Sequence, residues 1–239
     1  MLEFRHLYKS YRASPFALSI GNLTIGDGEV VGLLGANGCG KTTFLKTVMG
    51  LVDGFEGEVL VDGLPPSQQY GRMAFVTEEG SYFPDMTPMQ YAAFLADFYP
   101  RFDRGRYDRL MAFFDLYEDE PIRKLSKGQR AKVEICAGFS KGAKYILLDE
   151  PFLGKDVFAR RDFLKLMITS LKRDETIIVT THLVDEIQHV IDRALIIHKG
   201  MIRVDMPMDE LHEQGRTLEE LLMETTGYKA NRYREYLEE

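Results

Sequence analysis

The stretch GANGCGKTT, residues 35–43, fits the pattern G-x-x-x-x-G-K-[ST] with a further glycine at Gly38. It follows the apolar run EVVGLL and leads into KTTFLKTVMGL, where Phe44, Leu45, Val48 and Leu51 recur at helical spacing. Strand, loop and amphipathic helix in that order are the context in which this pattern means a phosphate-binding loop. The residue types explain why. Glycines at 35, 38 and 40 let the backbone turn tightly, so that successive amides face phosphate oxygens and the helix N-terminus adds its positive end. Lys41 is placed to reach β- and γ-phosphates, and the Thr42 hydroxyl to ligate Mg²⁺. The loop predicts nucleotide binding.

A second half for such a site stands in YILLDE, residues 145–150, an apolar strand ending in two carboxylates. Alone, an acidic strand end is more often a solvated cap than a catalytic pair. Beside the phosphate loop, Asp149 is expected near Mg²⁺ and Glu150 near the γ-phosphate, where a carboxylate can take a proton from an attacking water. Further apolar runs, GEVLVDG, MAFVTE, TIIVTTH and ALIIHKG, alternate with helical stretches. Runs apolar on both faces suit a sheet covered on both sides, so the fold class is α/β. The HKG between ALII and MIRV reads as a tight turn joining two strands, with Gly200 supplying permissive backbone angles.

Composition narrows the function. The 239 residues carry 37 acidic against 30 basic side chains, a net charge of −7, with no clustered Lys/Arg surface. A general nucleic-acid partner is therefore not expected. Cys39 and Cys136 are far apart and lack metal-type spacing, the opening MLEFRHLYKS lacks a signal-peptide core, and no apolar run approaches the ~20 residues a membrane span needs. A reduced, cytoplasmic setting is expected, with any membrane work done through a partner.

The remaining loop, LSKGQ (Leu125, Ser126, Lys127, Gly128 and Gln129), completes the set, and with it the chain resembles the ATP-binding subunit of an ABC transporter, of bacterial exporter type, over nearly its whole length. The family signature is L-S-G-G-Q, so four of five positions match and Lys127 departs. The resemblance implies a P-loop (RecA-like) core with a mixed sheet and an inserted helical subdomain carrying the signature. It implies that the ATP-binding residues are Tyr11, Gly35, Asn37, Gly38, Cys39, Gly40, Lys41, Thr42 and Thr43, with Tyr11 stacked on adenine. Mg²⁺ falls to Thr42 and Asp149, the base to Glu150, the switch histidine to His182, and the acidic place of the loop crossing the dimer interface to Asp156 in PFLGKD. The signature would act in trans, capping ATP held by a second ATPase subunit. Where the family carries Gln at the end of the third strand, this chain has Glu78, with Glu79 beside it; a carboxylate can still approach a hard cation, while adding negative charge near triphosphate.

On this resemblance the core is expected in residues 1–79 and 137–204, with antiparallel strands at its start, the helical signature subdomain in 80–136, and a charged, solvated helical tail in 205–239. The aromatic and Met-rich stretch from about Gly80 to Cys136 reads as a helical insertion whose aromatics and methionines form an ordinary helical core rather than a ligand site, and the resemblance makes its part near Tyr82 to Tyr99 the expected contact with transmembrane permease subunits. The implied role is an ATPase that drives a separate permease from the inner face of the cell membrane. A soluble ABC-type ATPase with a non-transport partner, or a weakly hydrolysing regulatory module, is the competing reading, the latter kept open by Glu78.

Overall fold

The structure is a computed structural model and describes residues 1–11, 17–77, 80–116, 119–151, 163–167, 169, 171–182 and 184–227. The apolar runs become the middle of one mixed sheet. Strand β4 (Val30–Leu34) lies between β8 (Thr176–Thr181) and β9 (Arg193–His198), and β8 is followed outward by β7 (Tyr145–Asp149) and β6 (Met73–Val76), all parallel. Val31 pairs with Ile178 on one side and Arg193 on the other. Antiparallel strands β1 (Leu2–Ser10), β2 (Ala17–Ile20), β3 (Leu23–Ile25) and β5 (Glu56–Val61) gather around β1. They join the rest where β10 (Met201–Pro207) pairs with β2 and β9. The β9–β10 turn has positive φ at both central residues, 49° at Lys199 and 77° at Gly200, as a two-residue hairpin turn requires.

Because the central strands are apolar along their middles on both faces, alternate side chains feed two cores. Val30, Leu34, Ile146, Leu148 and Val179 face one; Val31, Leu33, Tyr145, Leu147 and Ile178 face the other. The second is covered by helix α1 (Lys41–Val48) through Phe44, Leu45 and Val48. Leu51, expected on the same stripe, lies beyond the helix end: the chain turns at Gly50 (φ 66°) and leaves Leu51 57% exposed.

The first core is covered by the helical insertion, α2 (Pro88–Phe98), α3 (Arg104–Phe113) and α4 (Lys127–Ser140). Thr87 with Gln90 and Ser126 with Gln129 form reciprocal capping boxes at the starts of α2 and α4, which fixes where both helices begin. The helix expected to close this insertion at residue 136 continues to Ser140, because Cys136, Ala137 and Phe139 keep packing on the sheet. Tyr91, Tyr107 and Met111 are core residues as expected, but Phe83, Met89, Phe98 and Phe113 are exposed.

Strand β10 runs to Pro207, two residues past the expected start of the tail. The helices α6 (Met208–Glu213) and α7 (Leu218–Thr226) are not solvated on all sides: Met208, Leu211, Leu218 and Leu221 are buried in the first core, and α7 packs on β9 and on the short α5 (Val184–Ile187). Residues 228–239, the last part of that expected tail, lie outside the described residues.

Candidate functional site

Two loops at the carboxyl ends of parallel strands converge. The loop after β4 is held tightly: Gly35 has φ 154°, and a Cβ there would come within 2.3 Å of the Ile197 carbonyl oxygen and 2.7 Å of Cys39 Sγ. The Gly200 amide donates to the Cys39 carbonyl at 3.0 Å, so the β9–β10 turn supports the loop from behind. Gly40 caps α1 in a left-handed conformation, and Lys41 and Thr42 open the helix. Lys41 is only 6% exposed; its Nζ donates to the Gly35 carbonyl at 2.9 Å and pairs with Glu150 Oε1 at 3.3 Å. Burial pushes the Cys39 thiol up, against the pull of nearby Lys41, so it stays protonated at neutral pH.

The loop after β7 carries the acidic pair. Asp149 is buried, and Thr180 Oγ1 on the neighbouring strand donates to its Oδ1 at 2.8 Å. The same hydroxyl accepts the Glu150 amide at 2.9 Å. Glu150 itself has φ 48°, a left-handed conformation that is costly for a residue with a Cβ and persists where surrounding contacts impose it. The result is a carboxylate with one oxygen on Lys41 and the other 3.1 Å from His182 Nδ1, just past the end of β8. Thr180 went unnoticed in the sequence; its signal was a polar residue inside TIIVTTH, one strand over from Asp149.

The signature residues form the start of α4. Leu125 is buried, Ser126 is the cap, its amide donating to Gln129 Oε1 at 2.9 Å and its hydroxyl accepting from the Gln129 amide at 3.2 Å. Lys127 and Gly128 occupy the first turn, and a Cβ built on Gly128 meets nothing within 4 Å. The glycine is therefore not required by packing within this chain. The helix bearing this turn covers the opposite sheet face from α1. Tyr11 stands one residue beyond β1, 38% exposed, with Lys9 Nζ 5.2 Å from its ring centroid. Glu78, Glu79 and Asp156 lie outside the described residues.

The family model described as ABC transporter matches residues 18–153, more than half of the chain. The chain belongs to the ABC transporter family. Among curated relatives of this cassette, the lipopolysaccharide export system ATP-binding protein LptB of Haemophilus influenzae is 33% identical over 84% of this chain and 88% of its own length. Among solved structures, one titled as an ATP-binding subunit of an ABC transporter superposes with a TM-score of 0.82 at 26% identity, covering 94% of this chain and 98% of that one. A dimeric, post-hydrolysis cassette, MJ0796 bound to ADP and Pi, shares the fold at TM-score 0.74 and 22% identity, over 87% of this chain and 99% of that one. The fold is thus the P-loop α/β cassette, and the cassette is an ATP-binding, ATP-hydrolysing transport subunit. None of its described helices is long and apolar enough to cross a membrane.

The donors present suit Mg²⁺. Thr42 and Asp149 offer a hydroxyl and a buried carboxylate, both hard oxygens, and no group of three His, Cys, Asp or Glu suited to another metal occurs among the described residues. A magnesium ion needs only one or two protein ligands when phosphate and water oxygens supply the rest.

Proposed function

We propose that this cassette holds MgATP in the loop of residues 35–43, closes with a second ATPase subunit around two nucleotides, and so drives separate transmembrane permease subunits from the inner face of the cell membrane. The observation that carries this reading is Glu150, with its carboxylate between Lys41 Nζ at 3.3 Å and His182 Nδ1 at 3.1 Å. A triphosphate in the loop draws the Lys41 ammonium toward its β- and γ-oxygens. Glu150 is thereby released from its ion pair and can accept a proton from water aligned on the γ-phosphorus. His182, on the other oxygen, orients that water and the γ-phosphate. Thr42 and Asp149 would hold Mg²⁺, which neutralises charge on the phosphates. Thr180 keeps Asp149 and the Glu150 backbone in register for both tasks.

Placement of α1 and α4 on opposite faces of the sheet supports a signature turn that serves a neighbour's nucleotide rather than its own. Tyr11 is assigned to adenine stacking, Glu78 to the third-strand contact with metal or water, and Asp156 to the loop crossing the dimer interface, each by family position. For the permease, the surface of choice is the exposed aromatic cluster of the helical insertion. Phe83 packs 4.8 Å from Phe94 and Phe94 4.6 Å from Phe98, while Phe83 is 46% and Phe98 66% exposed.

Glu150→Gln tests the chemistry. The variant keeps the shape and loses the base, so phosphate release should fall by about 10²–10⁴-fold while a fluorescent ATP analogue binds as before. Normal turnover in that variant removes Glu150 from the role, and lost binding moves it to the nucleotide pocket.

A further inference from the structure

The buried residues of α4 are apolar apart from Glu134 and Ser140, and Glu134 is 2% exposed between Val133 and Ile135. A carboxylate so deep must be hydrogen-bonded. Its Oε1 accepts from Tyr91 Oη at 3.3 Å and its Oε2 from Ser81 Oγ at 3.0 Å, while the two hydroxyls lie 3.4 Å apart and close a triangle. Tyr91, 1% exposed, belongs to α2. Burial first, and then the charge of Glu134, push the Tyr91 phenol up, so it remains a donor. The buried Lys141 ammonium, pushed down by burial, is partly restored by the same carboxylate.

What the triangle joins gives it meaning. Ser81 stands two residues before Phe83, whose ring packs on Phe94 in the exposed aromatic cluster. Glu134 stands eight residues along α4 from Ser126, about 12 Å at the helical rise. An unbroken helix transmits displacement along that distance without bending. A shift of Phe83 must therefore either break the Ser81–Glu134 bond or carry the start of α4 with it.

We propose that Glu134 is a positioning residue that locks the aromatic surface at Phe83 to the signature turn at Ser126, using Ser81 and Tyr91 as its two anchors. The proposal rests on the reading of those two surfaces as permease contact and in-trans ATP cap. Force on the aromatic cluster is thereby converted into placement of the serine–glycine turn, and the reverse holds when that turn engages a nucleotide.

The test is amide hydrogen exchange on the full chain without nucleotide, comparing the native protein with Ser81→Ala and Ser81→Thr. Ser81 is exposed, so neither substitution threatens the fold. Removing a hydrogen bond to a buried charge should quicken exchange roughly tenfold in residues 80–86, and, because of the tie, quicken it also in residues 126–130. The threonine variant keeps a hydroxyl and should behave as the native chain does. In a second measurement Ser81→Ala should lower the rate of phosphate release severalfold with the affinity for a fluorescent ATP analogue unchanged. Faster exchange confined to 80–86, a threonine variant that behaves like alanine, or an equal loss of nucleotide affinity each overturns the tie. The exchange measurement involves no hydrolysis, so its failure leaves the Glu150 experiment standing, and failure of that experiment leaves the exchange result standing.

Discussion

Gly128→Ala should raise stability and destroy activity at once. An added Cβ at this position meets no atom within 4 Å, so nothing in the chain opposes it. The position lies in the first turn of α4, where exchanging glycine for alanine removes backbone freedom from the unfolded chain. The gain is about 0.4–1 kcal/mol, which for a protein of this size raises Tm by about 1–4 °C. In the closed dimer proposed above, the same methyl group would face the partner's γ-phosphate, where misplacement by about 1 Å can cost 10²-fold. Calorimetry and steady-state phosphate release on one preparation give both numbers. Gly35→Ala is the control with the opposite stability sign: its Cβ would sit 2.3 Å from the Ile197 carbonyl oxygen, so it should lower Tm and abolish nucleotide binding together. A Gly128→Ala protein that is more stable and still fully active would refute the in-trans role of the turn.

Three further outcomes are expected. Thr180→Val removes the donor to Asp149, a buried bond, and the acceptor of the Glu150 amide, a partly buried one, and should cost about 1–3 kcal/mol in urea unfolding together with a clear drop in kcat; unchanged kcat would detach Thr180 from the site. Arg106 on α3 and Glu175 before β8 form a buried pair at 2.6 Å, their side chains 6% and 3% exposed. Arg106→Leu should cost about 3–5 kcal/mol by stranding Glu175, with much of the loss recovered when Glu175→Leu is added. Burial alone would raise the Asp62 carboxyl, but hydrogen bonds from Lys144, the Met1 ammonium and Tyr145 outweigh it and hold it well below the usual range. A depressed carboxyl stabilises the fold above its unfolded value near ~3.9, and that contribution fades as pH falls below it. Asp62→Asn should therefore be less stable at neutral pH, and the gap should close on acidification, as read from Tm against pH.

The parts of the site legible in the sequence are those whose chemistry is local. The 35–43 loop announces itself because its glycines, lysine and threonines are contiguous, and both capping boxes follow from residues three apart. Strands β4, β7 and β8 were visible because burial on both faces leaves continuous apolar runs within them, residues 30–34, 145–148 and 177–179. Long-range pairings were not. Lys41 and Glu150 are 109 positions apart, and nothing local marks them as an ion pair. The charged composition beyond Asp205 suggested solvent, because four buried apolar residues spread over two short helices make a weak stripe. Leu51 fitted the periodicity of α1, which carries no information about where Gly50 turns the chain away.

The support that the β9–β10 turn gives to residues 35–40 bears on how the protein is made. Strand β4 has β8 and β9 as its two neighbours, and the Cys39 carbonyl accepts a hydrogen bond from the Gly200 amide. A ribosome that has completed the phosphate loop must therefore synthesise some 160 further residues before that loop acquires its walls. Nascent and truncated chains ending short of the hairpin carry the complete motif but lack the strand neighbours and the Gly200 hydrogen bond that shape it, so they should bind ATP more weakly than the finished chain.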